Sequence, residues 1–161
     1  MSSALRVGWL AQGRYRERVE HMKYVGTAST KTLTQLAIAE FIKQGYYVRH
    51  VRTIRQHYRD NFHTTTKAVK QHFPKGTRVS APEGSYFLWV EIPGDIDTLE
   101  LNVRLVKYEI QIAPGVIFSV SGKYRNCMRI NYARPISDEV MRVIGEEVRV
   151  LMGELLVPYR P

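Results

Sequence analysis

The stretch Pro82-Glu83-Gly84-Ser85-Tyr86-Phe87-Leu88-Trp89-Val90-Glu91-Ile92 decides how this chain is read. A turn signal, Ala81-Pro82-Glu83-Gly84, opens into a run dense in aromatic and β-branched side chains, and Pro93-Gly94 closes it. Such a run predicts a strand largely covered on both faces. On its N-terminal side lies the longest helical pattern of the sequence. Tyr47, Val51, Ile54, Tyr58, Phe62, Val69 and Phe73 recur at three, four or seven residues, one apolar stripe among Arg, Lys and His, stopped by Pro74 and Gly76. On its C-terminal side Asp97-Thr98-Leu99-Glu100 has the form of a capping box and predicts an amphipathic helix to about Tyr108. Ile110-Gln111-Ile112 then predicts a short strand, residues 113–125 a loop, and 127–132 a further strand. Ser137 caps a final helix, with Asp138 and Glu139 in its first turn and Val140, Val143, Ile144, Val148 and Leu151 on its inner face.

The N-terminal portion reads differently. Val7 to Ala11 is β-like, Arg14 to Tyr24 a polar helix, and Ser29-Thr30 caps a second helix bearing Leu33, Leu36, Ala37, Phe41 and Ile42, ended by Gly45. The composition shift near Gly45 predicts a boundary there, between 1–45 and 46–161, with no internal repeat or low-complexity linker.

Composition sets outer limits. With 161 residues and 44% hydrophobic content, the chain can bury one sizeable core. Its uninterrupted apolar stretches fall far short of the roughly 20 residues that cross a bilayer, and no charged-then-apolar leader opens it, which predicts a soluble, cytoplasmic protein without membrane contact. The lone Cys127 reads as a buried structural thiol without metal-ligand spacing. The five histidines, His21, His50, His57, His63 and His72, read as solvated helix residues, so no metal site is expected. A net charge of +9 raises a phosphate-rich partner, but the basic residues are spread out and no aromatic-basic motif accompanies them. Solvated helix faces explain them better.

Several short motifs together resemble one family. Pro82-Glu83-Gly84-Ser85-Tyr86-Phe87-Leu88-Trp89-Val90 resembles a Pro-x-Gly-Gly-x-Phe-Leu-Trp strand, Ala113-Pro114-Gly115-Val116-Ile117-Phe118 a Pro-Gly-x-x-Phe loop, and Met128-Arg129-Ile130-Asn131-Tyr132-Ala133 a Leu-Arg-Leu-x-Phe strand. Ala39-Glu40-Phe41-Ile42, Gly45-Tyr46, His50-Val51-Arg52 and Tyr58-Arg59 resemble the long helix joining that family's two domains. Ser2-Ser3-Ala4-Leu5-Arg6-Val7-Gly8-Trp9 resembles the end of its Ser-x-Ser-Lys motif. The family is the fold-type I pyridoxal-phosphate (PLP) aminotransferases, closest to the aminotransferase-like domain of MocR-type (GntR-family) regulators.

The resemblance implies an α/β fold: the small C-terminal domain (46–161) of a PLP-dependent transferase, plus a helical remnant (1–45) of the large domain. A short, mostly antiparallel sheet from Arg78 to Tyr132 would be covered on one face by the long helix, the Asp97 helix and the final helix. It also implies that Arg129 grips the α-carboxylate of an amino-acid substrate. From the residues alone, Arg129 is a guanidinium in an apolar strand that needs an anion to offset its desolvation, or one paired to a local Glu or left in solvent. Arg6, with help from Ser2 or Ser3, is implied to bind the cofactor phosphate, or is simply an exposed strand residue. Tyr86 and Phe87 read as core.

The Schiff-base lysine would fall just before Met1, and none of Lys23, Lys31, Lys43, Lys67, Lys70, Lys75, Lys107 or Lys123 stands in the Ser-x-Ser-Lys context. The chain alone is therefore expected to be inactive, with no catalytic residue of its own and PLP held only by the full-length protein. The resemblance further implies an amino-acid or 2-oxo-acid substrate and a homodimer. Without the rest of the sheet, Val7 to Leu10 and the Leu33 to Phe41 face are expected to lack cover. Three functions fit: the C-terminal part of an aminotransferase; the effector-sensing domain of a MocR-type regulator, reaching DNA through an N-terminal module; or a small basic nucleic-acid-binding module.

Overall fold

The computed structural model describes residues 6–27 and 31–154. Ser2, Ser3 and the Ser29-Thr30 cap lie outside the described residues. Contacts divide the chain into two units, Met1–Ile54 and Arg55–Pro161.

In the first unit, a 3-10 turn at Gly13–Tyr15 leads into α1 (Arg16–Thr27) and then α2 (Thr32–Lys43), close to the predicted helices. α1 buries no residue; Arg16 and Glu20, one turn apart, pair at 2.8 Å on its surface. The apolar face of α2 is bare, with Leu33 82% and Leu36 63% exposed, and only Ile38 is buried. The expected strand at 7–11 is absent, and residues 6–12 have no regular structure. A strand needs a neighbour for its backbone N–H and C=O groups, and every regular element described in this unit is helical.

The helix α3 (Tyr46–His72) begins in the first unit and ends in the second, where its apolar stripe passes into the core as Ala68, Val69 and Phe73. Four short strands follow: β1 (Arg78–Val79), β2 (Phe87–Glu91), β3 (Ala113–Pro114) and β4 (Cys127–Asn131), with α4 (Thr98–Leu105) between β2 and β3 and α5 (Asp138–Leu151) at the end. They form one antiparallel sheet in the order β1-β2-β4-β3. Opposed residues in an antiparallel pair share a face. Leu88, Val90, Met128 and Ile130 therefore point to one side, all fully or almost fully buried. There they meet Leu101 and Leu105 of α4, Met141, Ile144 and Val148 of α5, and the end of α3. Each such side chain contributes about 1.5–3 kcal/mol by leaving water. The other sheet face carries Phe87, Trp89 and Arg129, which are only half-buried. The expectation of a strand covered on both sides is thus corrected: the apolar run reflects a core on one face and an aromatic surface on the other.

Local chemistry sets the element ends. The Asp97 carboxylate accepts the Leu99 N–H at 2.8 Å, capping α4, and Ser137 Oγ accepts the Val140 N–H at 3.3 Å, capping α5. Ile110-Gln111-Ile112 is not a strand. Glu109 turns left-handed at φ 59°, the Ile110 N–H donates back to Leu105 O at 3.2 Å, and the Ile112 N–H donates to Asn102 Oδ1 at 2.9 Å. These backbone donors are spent on α4, so the ladder to β4 begins only at Ala113. Gly145 marks the closest approach of α5 to α3: a Cβ there would lie 2.3 Å from His72 O. His72 itself binds Asp138 through Nε2 at 2.8 Å, so it is not the solvated residue the pattern suggested.

Candidate functional site

Arg129 sits in the middle of the open sheet face, opposite Trp89 on β2 and Ala113 on β3. Its guanidinium carbon lies 4.1 Å from the centre of the Phe87 ring and 4.7 Å from that of Phe118. Trp89 supports the arrangement, 5.5 Å from both Phe118 and Tyr124 in edge-on geometry. A guanidinium held against aromatic faces keeps its N–H donors in the ring-free plane, where two parallel bonds to a carboxylate fit.

Phe118 is delivered by the Pro114-Gly115 loop, a 3-10 turn over Gly115–Phe118. Thr98, fully buried at the start of α4, anchors that loop: its hydroxyl lies 2.7 Å from Cys127 O and 2.9 Å from Arg125 O, and accepts the Gly115 N–H at 3.4 Å. Gly115 is required there, because a Cβ would fall 2.2 Å from Tyr124 O and 2.7 Å from Cys127 O.

Among the described residues Arg129 has no acidic partner. That sets it apart from the arginines of α4 and α5, where Arg104 meets Glu147 at 2.8 Å and Arg142 meets Glu139 at 2.6 Å. Beside Arg129 the 110–112 segment swings away from β4 and leaves a depression of about 390 Å³, lined by Phe87, Ile112, Ile136 and Val140 among others. No lysine, carboxylate or histidine lines it. The geometry suits an anionic group gripped beside an apolar wall and supplies no acid or base for proton transfer.

The remaining sequence candidates are elsewhere. Arg6, in the first unit, is exposed, with a left-handed φ of 49°. Cys127 is buried, and burial, its largest influence, pushes the thiol above its ordinary value. Gly84 lies outside the left-handed region and has open space around it; the left-handed backbone belongs to Ser85, at φ 85°. Phe87 is a neighbour of Arg129 rather than core. Among the described residues no cluster of His, Cys, Asp and Glu is arranged for a metal, and no helix is long and apolar enough to cross a membrane. Phe118 and Trp89 were not singled out from sequence, although both stand in the quoted motifs; only the cross-strand register brings them to Arg129.

A small antiparallel sheet with three helices on one face is an α/β arrangement shared with solved aminotransferases. One is the α-aminoadipate aminotransferase LysN of Thermus thermophilus, at TM-score 0.83 and 26% identity over 96% of this chain and 41% of that one. Another is the kynurenine aminotransferase of Pyrococcus horikoshii, at TM-score 0.82 and 25% identity over 98% of this chain and 39% of that one. The chain belongs to the aminotransferase class I and II family, whose model matches residues 2–146. Among curated proteins, it is 42% identical to the uncharacterized HTH-type transcriptional regulator YjiR of Escherichia coli over 92% of this chain and 32% of that protein. It is 26% identical to the 2-aminoadipate transaminase of Thermus thermophilus, over 96% of this chain and 39% of that enzyme. The chain spans about a third of the length of the curated relatives it matches.

Proposed function

We propose that this chain forms the carboxylate-binding part of an aminotransferase-like domain that senses an amino acid or 2-oxo acid within an HTH-type regulator. The observation that carries the binding role is Arg129, half-buried between Phe87 and Phe118 with no acid beside it among the described residues. An uncompensated guanidinium at the lip of an apolar depression favours an external carboxylate. The regulator context rests on the 42% identity to YjiR, against 26% to the 2-aminoadipate transaminase. The second reading, the C-terminal part of a working aminotransferase, draws on the fold likeness to LysN. In either context a homodimer in the cytoplasm is proposed, with residues 1–45 completing a large domain and 46–161 forming the small one. DNA contact would be made by an N-terminal module.

When bound, PLP would supply an aldehyde that reacts with amino groups and a ring that draws electrons away from the reacting carbon. The depression beside Arg129 offers no lysine to hold its aldehyde and no carboxylate for its ring nitrogen, so the residues present do not fit the cofactor by themselves. Arg6 is proposed to reach the cofactor phosphate in the full-length protein. What this part contributes is orientation: a fixed guanidinium that sets where a substrate carboxylate lies.

Two measurements test this. Titration with L-alanine or acetate, followed at the backbone amides of Phe87, Phe118 and residues 128–130, should give a saturable shift that Arg129→Gln weakens at least about tenfold, the worth of a charge-assisted hydrogen bond. An unchanged affinity would end the carboxylate role. Incubation with PLP and borohydride should leave only scattered, substoichiometric lysine adducts. Stoichiometric trapping at one lysine would mean that the chain builds its own cofactor site.

A further inference from the structure

A second depression, of about 560 Å³, lies between α3 and the loop that precedes β2, away from Arg129. Its walls are built rather than incidental. Tyr132 is buried at its base, its hydroxyl donates to Ser85 O at 3.1 Å, and its ring packs 5.9 Å from Phe62. Asn61 Nδ2 donates to Tyr132 O at 3.0 Å and ties α3 to the same point, while Tyr58 lies 5.5 Å from Tyr86. Ser85 is held at φ 85°, a conformation an L-residue adopts only at a cost of about 1–2 kcal/mol, with its carbonyl fixed by Tyr132.

Arg55 and Arg59, one helical turn apart, line this depression next to Tyr58 and Phe62. Neither makes an ion pair or hydrogen bond among the described residues. Like charges at i and i+4 cost a helix about 0.2–0.5 kcal/mol, and nearby Asp60 is engaged by Gln56 Nε2 at 2.9 Å. Glu83 is the acid in the lining, and it too is unpaired. A preformed aromatic floor beside two free guanidinium forks, with a serine at the lip, matches a ligand that carries a flat apolar body and an anionic head.

We propose that this depression is a second, separate binding site for a small aromatic phosphate or carboxylate, held by Arg55 and Arg59 against Tyr58 and Phe62. The site uses none of the residues around Arg129, so it stands or falls independently of the carboxylate role given to that arginine.

The test is a titration of the 161-residue chain with phenyl phosphate and with benzoate, followed by backbone amide shifts, with inorganic phosphate and phenol as single-feature controls. Saturable shifts of residues 55–62, 82–85 and 132 are expected, separate from any carboxylate shifts around Arg129, with either control at least tenfold weaker at this site than the compound that combines both features. The stronger of phenyl phosphate and benzoate identifies the anionic head. Arg55→Gln with Arg59→Gln should weaken binding at least tenfold while the circular dichroism spectrum stays unchanged, and Arg129→Gln should leave it intact. Shifts spread over all basic residues, equal binding by the double variant, or loss of binding in Arg129→Gln would overturn the proposal. Because those arginines are exposed, Phe62→Leu serves as a second variant: it keeps the charge, trims the floor, and should weaken phenyl phosphate while leaving inorganic phosphate unaffected.

Discussion

Replacing Gly115 by alanine should cost about 3 kcal/mol of stability and dismantle the surroundings of Arg129 at the same time. The added methyl would lie 2.2 Å from Tyr124 O, 2.7 Å from Cys127 O and 2.9 Å from Cys127 Cβ. The two nearest of these are backbone atoms, one belonging to a residue of β4, so they cannot swing aside as a flexible side chain would. The loop must move instead. Movement stretches the Gly115 N–H to Thr98 Oγ1 contact, already 3.4 Å, and unseats a buried hydroxyl that serves Arg125 O and Cys127 O. Overpacking of this kind typically costs 1–3 kcal/mol, and the weakened buried hydrogen bond places this case at the upper end. Phe118, three residues on, would leave its place 4.7 Å from the Arg129 guanidinium. Urea unfolding should show the loss of stability, and the melting temperature should fall by about 6–12 °C. The Arg129 Nε–H resonance should broaden or move in the same variant. Gly84→Ala is the control: nothing lies within 4 Å of a Cβ there, and a change below about 0.5 kcal/mol is expected. Equal stability of the two variants would show that the 115–118 loop is free to shift.

The second large effect is expected at Glu147. This carboxylate, 5% exposed on the inner side of α5, receives Arg104 Nε and Lys107 Nζ, each at 2.8 Å, and the Tyr108 hydroxyl at 3.0 Å. Burial, the largest single influence, raises its pKa. The bonds from Lys107, Arg104 and Tyr108 together outweigh it, so the group titrates below the ordinary carboxylate value of 4.5. Removing one member of a buried ion cluster costs about 3–5 kcal/mol, and the partial exposure of both cations places Glu147→Gln near 3 kcal/mol at neutral pH.

The pH dependence follows from the direction of the shift. A carboxylate whose folded pKa is depressed contributes stability that is complete above its unfolded value and is lost as pH falls through the folded one. The stability difference between native chain and Glu147→Gln should therefore be constant above about pH 5.5, and shrink below about pH 4.5, where the unfolded chain takes up a proton that the native carboxylate still resists, until the native group titrates as well. Denaturant unfolding of both proteins at several pH values measures it. A difference that grows on acidification would contradict the depressed pKa, and one below about 1 kcal/mol at neutral pH would show that solvent screens the cluster.

Much of this architecture was legible because it is local. The stripe from Tyr58 to Phe73 needs only a period of 3.6 to identify α3, and Asp97 and Ser137 announce α4 and α5 through caps that act within three residues. Failures occurred where a partner had to be known. Val7 to Ala11 has strand composition but no ladder neighbour within its unit, and Ile110 to Ile112 gave its N–H groups to α4. The face of β2 is of the same kind: Leu88 and Trp89 look alike in a hydrophobic run, yet one is fully buried and the other stands on the open face beside an arginine.

The sequence by itself determined the helices, the order of elements, the family resemblance and Arg129 as the residue to watch, since each rests on spacing or on side-chain chemistry at a single position. Tertiary structure alone decided that Phe87 and Phe118 flank that arginine, that Gly115 has no room for a methyl, that Ser85 rather than Gly84 takes the left-handed turn, and that Arg55 and Arg59 line a depression closed by Tyr132. These are relations between residues on different elements and loops, fixed by strand register and helix packing, and no local pattern carries the free energy of a contact whose other half lies elsewhere in the fold.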